Sequence, residues 1–214
     1  AGNGALMRIA PALVPHVADP SAALWHDTAV LARLTHNDTA SVASCVAFVR
    51  VLWRALHDRP TDPRWWSDTF LEALDDLCLD DRYEHLVPAW RDGGRFPDLV
   101  RARIERARCK GWDTRTACAR FSSSAYLLET VPCVLWILEQ HGDDPEAAVI
   151  RAVNDTWDND TVAAIVGAAV GARHGAATLP RRWHEGLSGR TMQSDDGRVQ
   201  ELVEAARERF WERL

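Results

Sequence analysis

A chain of 214 residues, 47% hydrophobic and 26% charged, has the balance of an ordinary globular protein and the length for one large domain. Its net charge of -6 comes with no basic block or stripe, which argues against nucleic acid as a main partner, because phosphate binding needs clustered Lys and Arg. No apolar run approaches the roughly 20 residues that span a bilayer, and no segment reads as a signal peptide. Cys45, Cys78, Cys109, Cys118 and Cys133 are odd in number and lack CxxC spacing, so they read as small buried residues of a reducing, cytoplasmic protein and not as a disulfide frame or a zinc site.

The predicted elements are helices. Ala23 to Leu34 carries Leu24, Leu31 and Leu34 at helical spacing, and Ser41 to Leu56 places Val42, Val46, Val49, Trp53 and Leu56 on one apolar stripe. RPTDPRWW breaks the pattern with two prolines, and Ser67 to Leu79 resumes it with Phe70, Leu71, Leu74 and Leu77. RDGGRFPD, Arg91 to Asp98, reads as a loop before a short helix from Leu99 to Arg108. Glu129 to Gln140 is apolar nearly all round and predicts a buried central helix, with Pro132 marking its first turn or a kink. Asp144 and Pro145 suit the N-cap and first position of a helix running to about Val153. Val162 to His174 follows, then GLSGRTMQSDDG as a mobile connector. Val199 to Leu214 closes the chain with Val199, Leu202, Val203, Ala206 and Phe210 on one face. No segment alternates with period two and no repeat is visible, so the expectation is an all-α fold, one compact domain over residues 1–214. The ten tryptophans are first of all core and lid material.

The stretch NDTWDNDTVAAIVGAAVGARHG, Asn154 to Gly175, sets acids and threonines before a small-residue helix. Asp158, Asp160 and Thr161 stand at i, i+2 and i+3, where a helix start brings their oxygens to one point. Two carboxylates and a hydroxyl are hard ligands suited to Mg²⁺, Mn²⁺ or Ca²⁺. The same residue types are ordinary helix caps, and both readings stand on the string alone. It lacks the length, central Gly and final Glu of an EF-hand loop. Gly167, Gly171 and Gly175 recur every four residues. Glycine inside a helix costs about 1 kcal/mol each against alanine, so the spacing predicts a helix in the centre of a bundle, closely approached by another backbone.

DNDTVAAIVGAAVGARHG followed by LPRRWHEGL resembles the signature of the ADP-ribosylglycohydrolases, the group that includes the dinitrogenase-reductase-activating glycohydrolase; the DNDT form is similar to a variant of some bacterial members. Three further stretches match in order: GNGALMRIAP resembles the family's SxGNGxxMRxxP loop, LTHND its T-H-x-D segment, and SSSAYLLETVPCVLWIL its small-residue, aromatic and acidic segment before a helix. The resemblance implies an orthogonal all-α helical bundle with a two-metal centre, usually Mg²⁺ with Mn²⁺ as an alternative. It implies hydrolysis of the N- or O-glycosidic bond between ADP-ribose and a modified target, ADP-ribosyl-arginine on protein by default. Asp158, Asp160 and Thr161 would be metal ligands. Asn3 and Gly4 would lie in the loop that contacts the diphosphate and proximal ribose, His36 would contact ADP-ribose, and Tyr126 would pack on the nucleotide.

Plainer readings stand beside these. Asn3-Gly4 is an ordinary turn dipeptide, His36 to Asp38 could be a helix end and the next cap, and Tyr126 could be a core tyrosine. Glu129 reads as an acid supporting the ligands or as a helix-start residue, Arg8 as a brace for the loop or a surface ion-pair partner, and Trp157 as lining or closing the pocket. The family's G-D-A/S-x-G and T/S-D-D-T segments, with the remaining metal ligands and in several members a catalytic glutamate, have no match here. The expectation is therefore a fragment whose catalytic acid lies upstream of residue 1, and the alternative is a catalytically inactive relative that binds ADP-ribose or a protein partner.

Overall fold

Acids and a serine at the chain's helix boundaries set where four helices begin. Ser21, Asp38, Asp113 and Asp144 accept hydrogen bonds from the backbone N–H of Ala23, Ser41, Thr116 and Ala147. Each such cap is worth about 1 kcal/mol to the helix it opens. The computed structural model describes residues 1–18, 21–58, 60–77, 93–186 and 197–210, and the backbone of 82–83. Two 3₁₀ segments, Leu6–Arg8 and Ala10–His16, lead into α1 (Ala22–Arg33), α2 (Thr39–His57), α3 (Trp65–Leu77), α4 (Phe96–Lys110), α5 (Thr114–Phe121), α6 (Leu127–His141), α7 (Pro145–Asp155), α8 (Asn159–His174), α9 (Arg181–Gly186) and α10 (Arg198–Phe210). The exception to all-α is a two-residue antiparallel pairing of Arg82–Tyr83 with Gly94–Arg95.

The buried central helix is α6: every residue from Leu127 to Glu139 is buried, and α3, α4, α5, α7 and α8 pack around it. Burying a Leu or Ile side chain contributes about 1.5–3 kcal/mol, so this helix anchors the core. It does so despite Pro132, which lies in its second turn rather than its first and removes one i→i−4 hydrogen bond. The second core helix, α2, packs against α1, α3 and α8. By length and composition α2 could cross a bilayer, but two thirds of its apolar window is buried inside the protein.

The structure corrects several expectations. The loop expected over Arg91–Asp98 is shorter: Gly94–Arg95 pairs as a strand and α4 starts at Phe96, because Pro97 in the first turn needs no hydrogen-bonded N–H there. Helices α5 and α9 carry stripes too short to register in the sequence. The glycine argument for α8 fails in part. A Cβ on Gly171 would meet nothing within 4 Å, and one on Gly167 only Val149 Cγ2 at 3.9 Å, so no backbone presses on either. The helix is buried on one face, through Val162, Ile165, Val166, Ala169 and Val170, and its glycines lie toward the outside. Gly175 is there for a different reason: it ends α8 at φ +82°, a conformation that favours glycine. Of the apolar residues expected on one face of the last helix, Val199, Leu202 and Val203 are exposed while Ala206 and Phe210 are half-buried. Residues 211–214 and most of the expected connector, residues 187–196, lie outside the described residues.

Candidate functional site

The predicted site residues gather where the N-terminal segment, the start of α6 and the start of α8 meet. Two backbone hydrogen bonds pin the N-terminal segment to the turn before α6: Asn3 N–H donates to the Ala125 carbonyl at 3.1 Å and Leu127 N–H to the Ala1 carbonyl at 3.0 Å, and together they form an antiparallel bridge between Gly2 and Tyr126. That turn is unusual. Ser122 and Ser123 have φ of 74° and 33°, a region that costs a non-glycine residue about 1–3 kcal/mol and persists only where the surroundings enforce it. The strained pair delivers buried Ser123 to the DNDT stretch, where its carbonyl accepts from Asp158 N–H at 3.0 Å and its Oγ from Trp157 N–H at 3.1 Å.

Asp158 occupies the N-cap position of α8 without capping it: no side-chain cap hydrogen bond forms. Its Oδ2 instead accepts from Asn3 Nδ2 at 2.6 Å. Asn3, only 5% exposed, donates from the same nitrogen to Thr130 Oγ1 at 2.8 Å, and Thr130 in turn donates to the Ser124 carbonyl at 2.9 Å. Beside it, Ser124 Oγ donates to the buried Glu129 carboxylate, so Glu129 supports this turn. Thr161, also buried, has one side-chain hydrogen bond, a long one to the Met7 thioether at 3.6 Å. Asp160 is exposed on the first turn of α8.

His36 completes the cluster from α1's far end. Its ring packs over the glycines of the GNG loop: a Cβ on Gly4 would come within 3.0 Å of Cε1, and one on Gly2 within 3.2 Å of Nε2. Those glycines leave room for the imidazole. His36 Nδ1 lies 2.9 Å from Thr35 Oγ1, which accepts from Arg8 at 2.6 Å while Arg8 also reaches the Leu31 carbonyl at 3.0 Å. Arg8 is thus a brace between the GNG loop and the His36 segment. Asp38 of the same segment is a cap, accepting from Ser41 N–H at 2.9 Å and Ser41 Oγ at 2.7 Å.

The structure therefore ties Asn3, Gly4, His36, Asp158 and Thr161 into one set of contacts, with Tyr126 joined through its backbone bridge to Gly2. Asp160 stands next to the set in sequence, exposed, and no side-chain hydrogen bond ties it to the set among the described residues. The sequence did not single out Thr130, Ser123, Ser124 and Met7, although three of them stand inside the SSSAYLLET stretch; small hydroxyl residues around an acid carry no period that marks them. Trp157 is 79% exposed directly beside Asp158 and closes nothing among the described residues.

The donor set fits part of a hard-cation site. Asp158 is turned away from its cap, and the buried Thr161 hydroxyl has only a weak thioether partner, as oxygens available to a ligand would be. No cluster of three or more His, Cys, Asp or Glu side chains suited to a metal converges among the described residues. Two carboxylates and one hydroxyl fill part of the roughly six positions that Mg²⁺ requires.

Comparison with known proteins decides the family: the ADP-ribosylglycohydrolase profile matches residues 1–213. The chain belongs to the ADP-ribosylglycohydrolase family. It is similar to ADP-ribosylarginine hydrolase Tri1 of Pseudomonas putida, 25% identical over 86% of this chain and 42% of the relative. It is likewise similar to the ADP-ribosyl-[dinitrogen reductase] glycohydrolase of Rhodospirillum rubrum, 28% identical over 86% of this chain and 49% of the relative. A solved ADP-ribosylglycohydrolase-related protein complex superposes on 97% of this chain and 60% of its own, with a TM-score of 0.65 and 25% identity. The chain thus spans about half the length of the curated relatives it matches.

Proposed function

We propose that this chain carries ADP-ribose-binding and metal-binding residues of a hydrolase that cleaves the glycosidic bond between ADP-ribose and a modified target, with ADP-ribosyl-arginine on protein as the default substrate. The observation that carries the proposal is Asp158: an acid at a helix N-cap that leaves the cap unmade and is held instead by a buried asparagine from the GNG loop. Together with the family, this favours the ligand reading of DNDT over the capping one. Asp158, Asp160 and Thr161 would hold Mg²⁺, with two ions expected and Mn²⁺ an acceptable substitute. When bound, the metal supplies polarisation of a ribose hydroxyl and of water, and stabilisation of the charge that develops as the anomeric bond breaks.

The chain's own residues supply position. The GNG loop is fastened at Asn3 to the Ala125 carbonyl, so its backbone offers a fixed surface to a diphosphate. Arg8 donates to Thr35, which leaves the Thr35 hydroxyl proton free for His36 Nδ1. With the Thr35 hydrogen directed at Nδ1, the second imidazole nitrogen would carry the ring proton on the Gly2–Gly4 side and donate to ADP-ribose. The bond-breaking transition state has oxocarbenium character in glycoside hydrolysis generally.

The test is release of ADP-ribose from an ADP-ribosylated arginine peptide, with Mg²⁺ and with chelator, by this chain and by the full natural gene product. Metal-dependent release by either supports the reading, and its abolition by Asp158→Ala places Asp158 in it. Binding of ADP-ribose without release from any ADP-ribosyl linkage would replace it with an inactive binding relative.

A further inference from the structure

Resting on that reading, we infer that Asn3 is a positioning residue that fixes the Asp158 carboxylate for its ligand, with Thr130 fixing Asn3. A side-chain amide nitrogen carries two hydrogens, and both are engaged: one on Asp158 Oδ2 at 2.6 Å, the other on Thr130 Oγ1 at 2.8 Å. The Thr130 hydroxyl sends its own hydrogen to the Ser124 carbonyl at 2.9 Å, so toward Asn3 it can only accept. The donor directions are therefore set along the whole chain from Ser124 to Asp158. Flipping the amide would set its oxygen against a carboxylate and against a hydroxyl whose hydrogen is already placed.

Burial holds these bonds in place. Asn3 is 5% exposed and Thr130 is fully buried, so water does not compete for either side chain. Ser123 holds the Asp158 backbone separately, at 3.0 Å from carbonyl to N–H, so Asn3 acts on the carboxylate alone. With Oδ2 held, Oδ1 is the oxygen presented to a cation; no hydrogen bond engages it among the described residues. A carboxylate restrained by a buried donor in this way has its direction decided before the ligand arrives, and removing such a partner typically weakens metal affinity about 10–100-fold.

The experiment measures Mn²⁺ affinity by electron paramagnetic resonance, and the Mn²⁺-dependent rise in melting temperature, on the unsubstituted protein and on Asn3→Ala, Thr130→Val, Thr130→Ser and Asp158→Ala. The expected result is a loss of about tenfold or more in affinity for Asn3→Ala, a smaller loss for Thr130→Val, near-native affinity for Thr130→Ser, which keeps the hydroxyl, and no binding for Asp158→Ala. A merely structural Asn3 would lower the melting temperature in chelator while leaving the affinity of the folded protein unchanged. Affinity within twofold of the parent in Asn3→Ala overturns the inference while Asp158→Ala still abolishes binding. If Asn3→Ala does not fold, unchanged affinity in Thr130→Val overturns it instead. Absence of Mn²⁺ binding in the unsubstituted protein overturns the metal reading of the site, and the inference with it.

Discussion

Two aspartates at helix starts, Asp38 and Asp158, face opposite tasks, and single substitutions separate them. Asp38 satisfies Ser41 N–H and Oγ, so Asp38→Ala should lower stability by about 1–2 kcal/mol in urea unfolding, with or without Mg²⁺. Asp158 makes no cap, so its substitution by Ala should erase any Mg²⁺-dependent rise in melting temperature; a rise as large as the parent's would refute the assignment. At the opposite end of α6, His141 has its pKa lowered by burial first and by the Arg151 charge second, against smaller opposing effects of Asp155 and Asp144. A base with a depressed folded pKa is bound to fewer protons when folded, so its contribution is intact above the unfolded value of about 6.5 and is lost as pH falls from there through the folded value. Urea unfolding between about pH 5 and 8 should show stability dropping on the acid side, and His141→Gln should flatten that limb; an unchanged limb would assign it elsewhere.

At the scale of elements, the glycines of the helical core divide by what surrounds them. Gly171 sits in the last turn of α8 in open space, so Gly171→Ala should stabilise by up to about 0.5–1 kcal/mol through helix propensity. Gly142 is closed in: a Cβ would collide with the Leu138 carbonyl and come within 2.5 Å of Trp66 Nε1, so Gly142→Ala should destabilise. Thermal melts of both variants give opposite signs if this geometry holds. The same contrast explains what was legible in the sequence. Helices α1, α2, α3, α6, α7 and α8 were readable because apolar stripes and capping residues are local signals, as Asp144-Pro145 illustrates for α7. The close approach expected along the α8 glycines holds only loosely at Gly167 and not at Gly171, because spacing alone cannot say what each glycine faces. Motifs marked Asn3, His36 and Asp158, which the fold brings into one set of contacts. Thr130 and the Ser122–Ser123 turn were not readable, since a hydrogen bond between positions 3 and 130 leaves no trace in either segment.

For the whole molecule, the core lies around α6 and α2, while apolar side chains just past the end of α1 and on α10 face outward. Leu34 is 70% exposed and Leu202 59%. Changing either to Lys should move stability by no more than about 0.5 kcal/mol, whereas Leu128→Ala inside α6 should cost about 2–5 kcal/mol; denaturant midpoints rank the three. The thiols map the same boundary. Burial pushes Cys45 up to about 12, and burial, then the neighbouring Cys118, holds Cys133 well above its ordinary range, while Cys109 is exposed. Iodoacetamide at about pH 8 should therefore modify Cys109 and spare Cys45, Cys118 and Cys133 until the chain unfolds, as mass spectrometry of the peptides would show. The packing of His36 over Gly2 and Gly4 reaches further than this one molecule. Residues separated by more than thirty positions are bound into a single unit of inheritance, in which a side chain gained at either glycine must be matched by a smaller residue at the histidine. In an alignment of relatives the three positions should covary, and a lineage that has given up the imidazole is released from glycine in the loop.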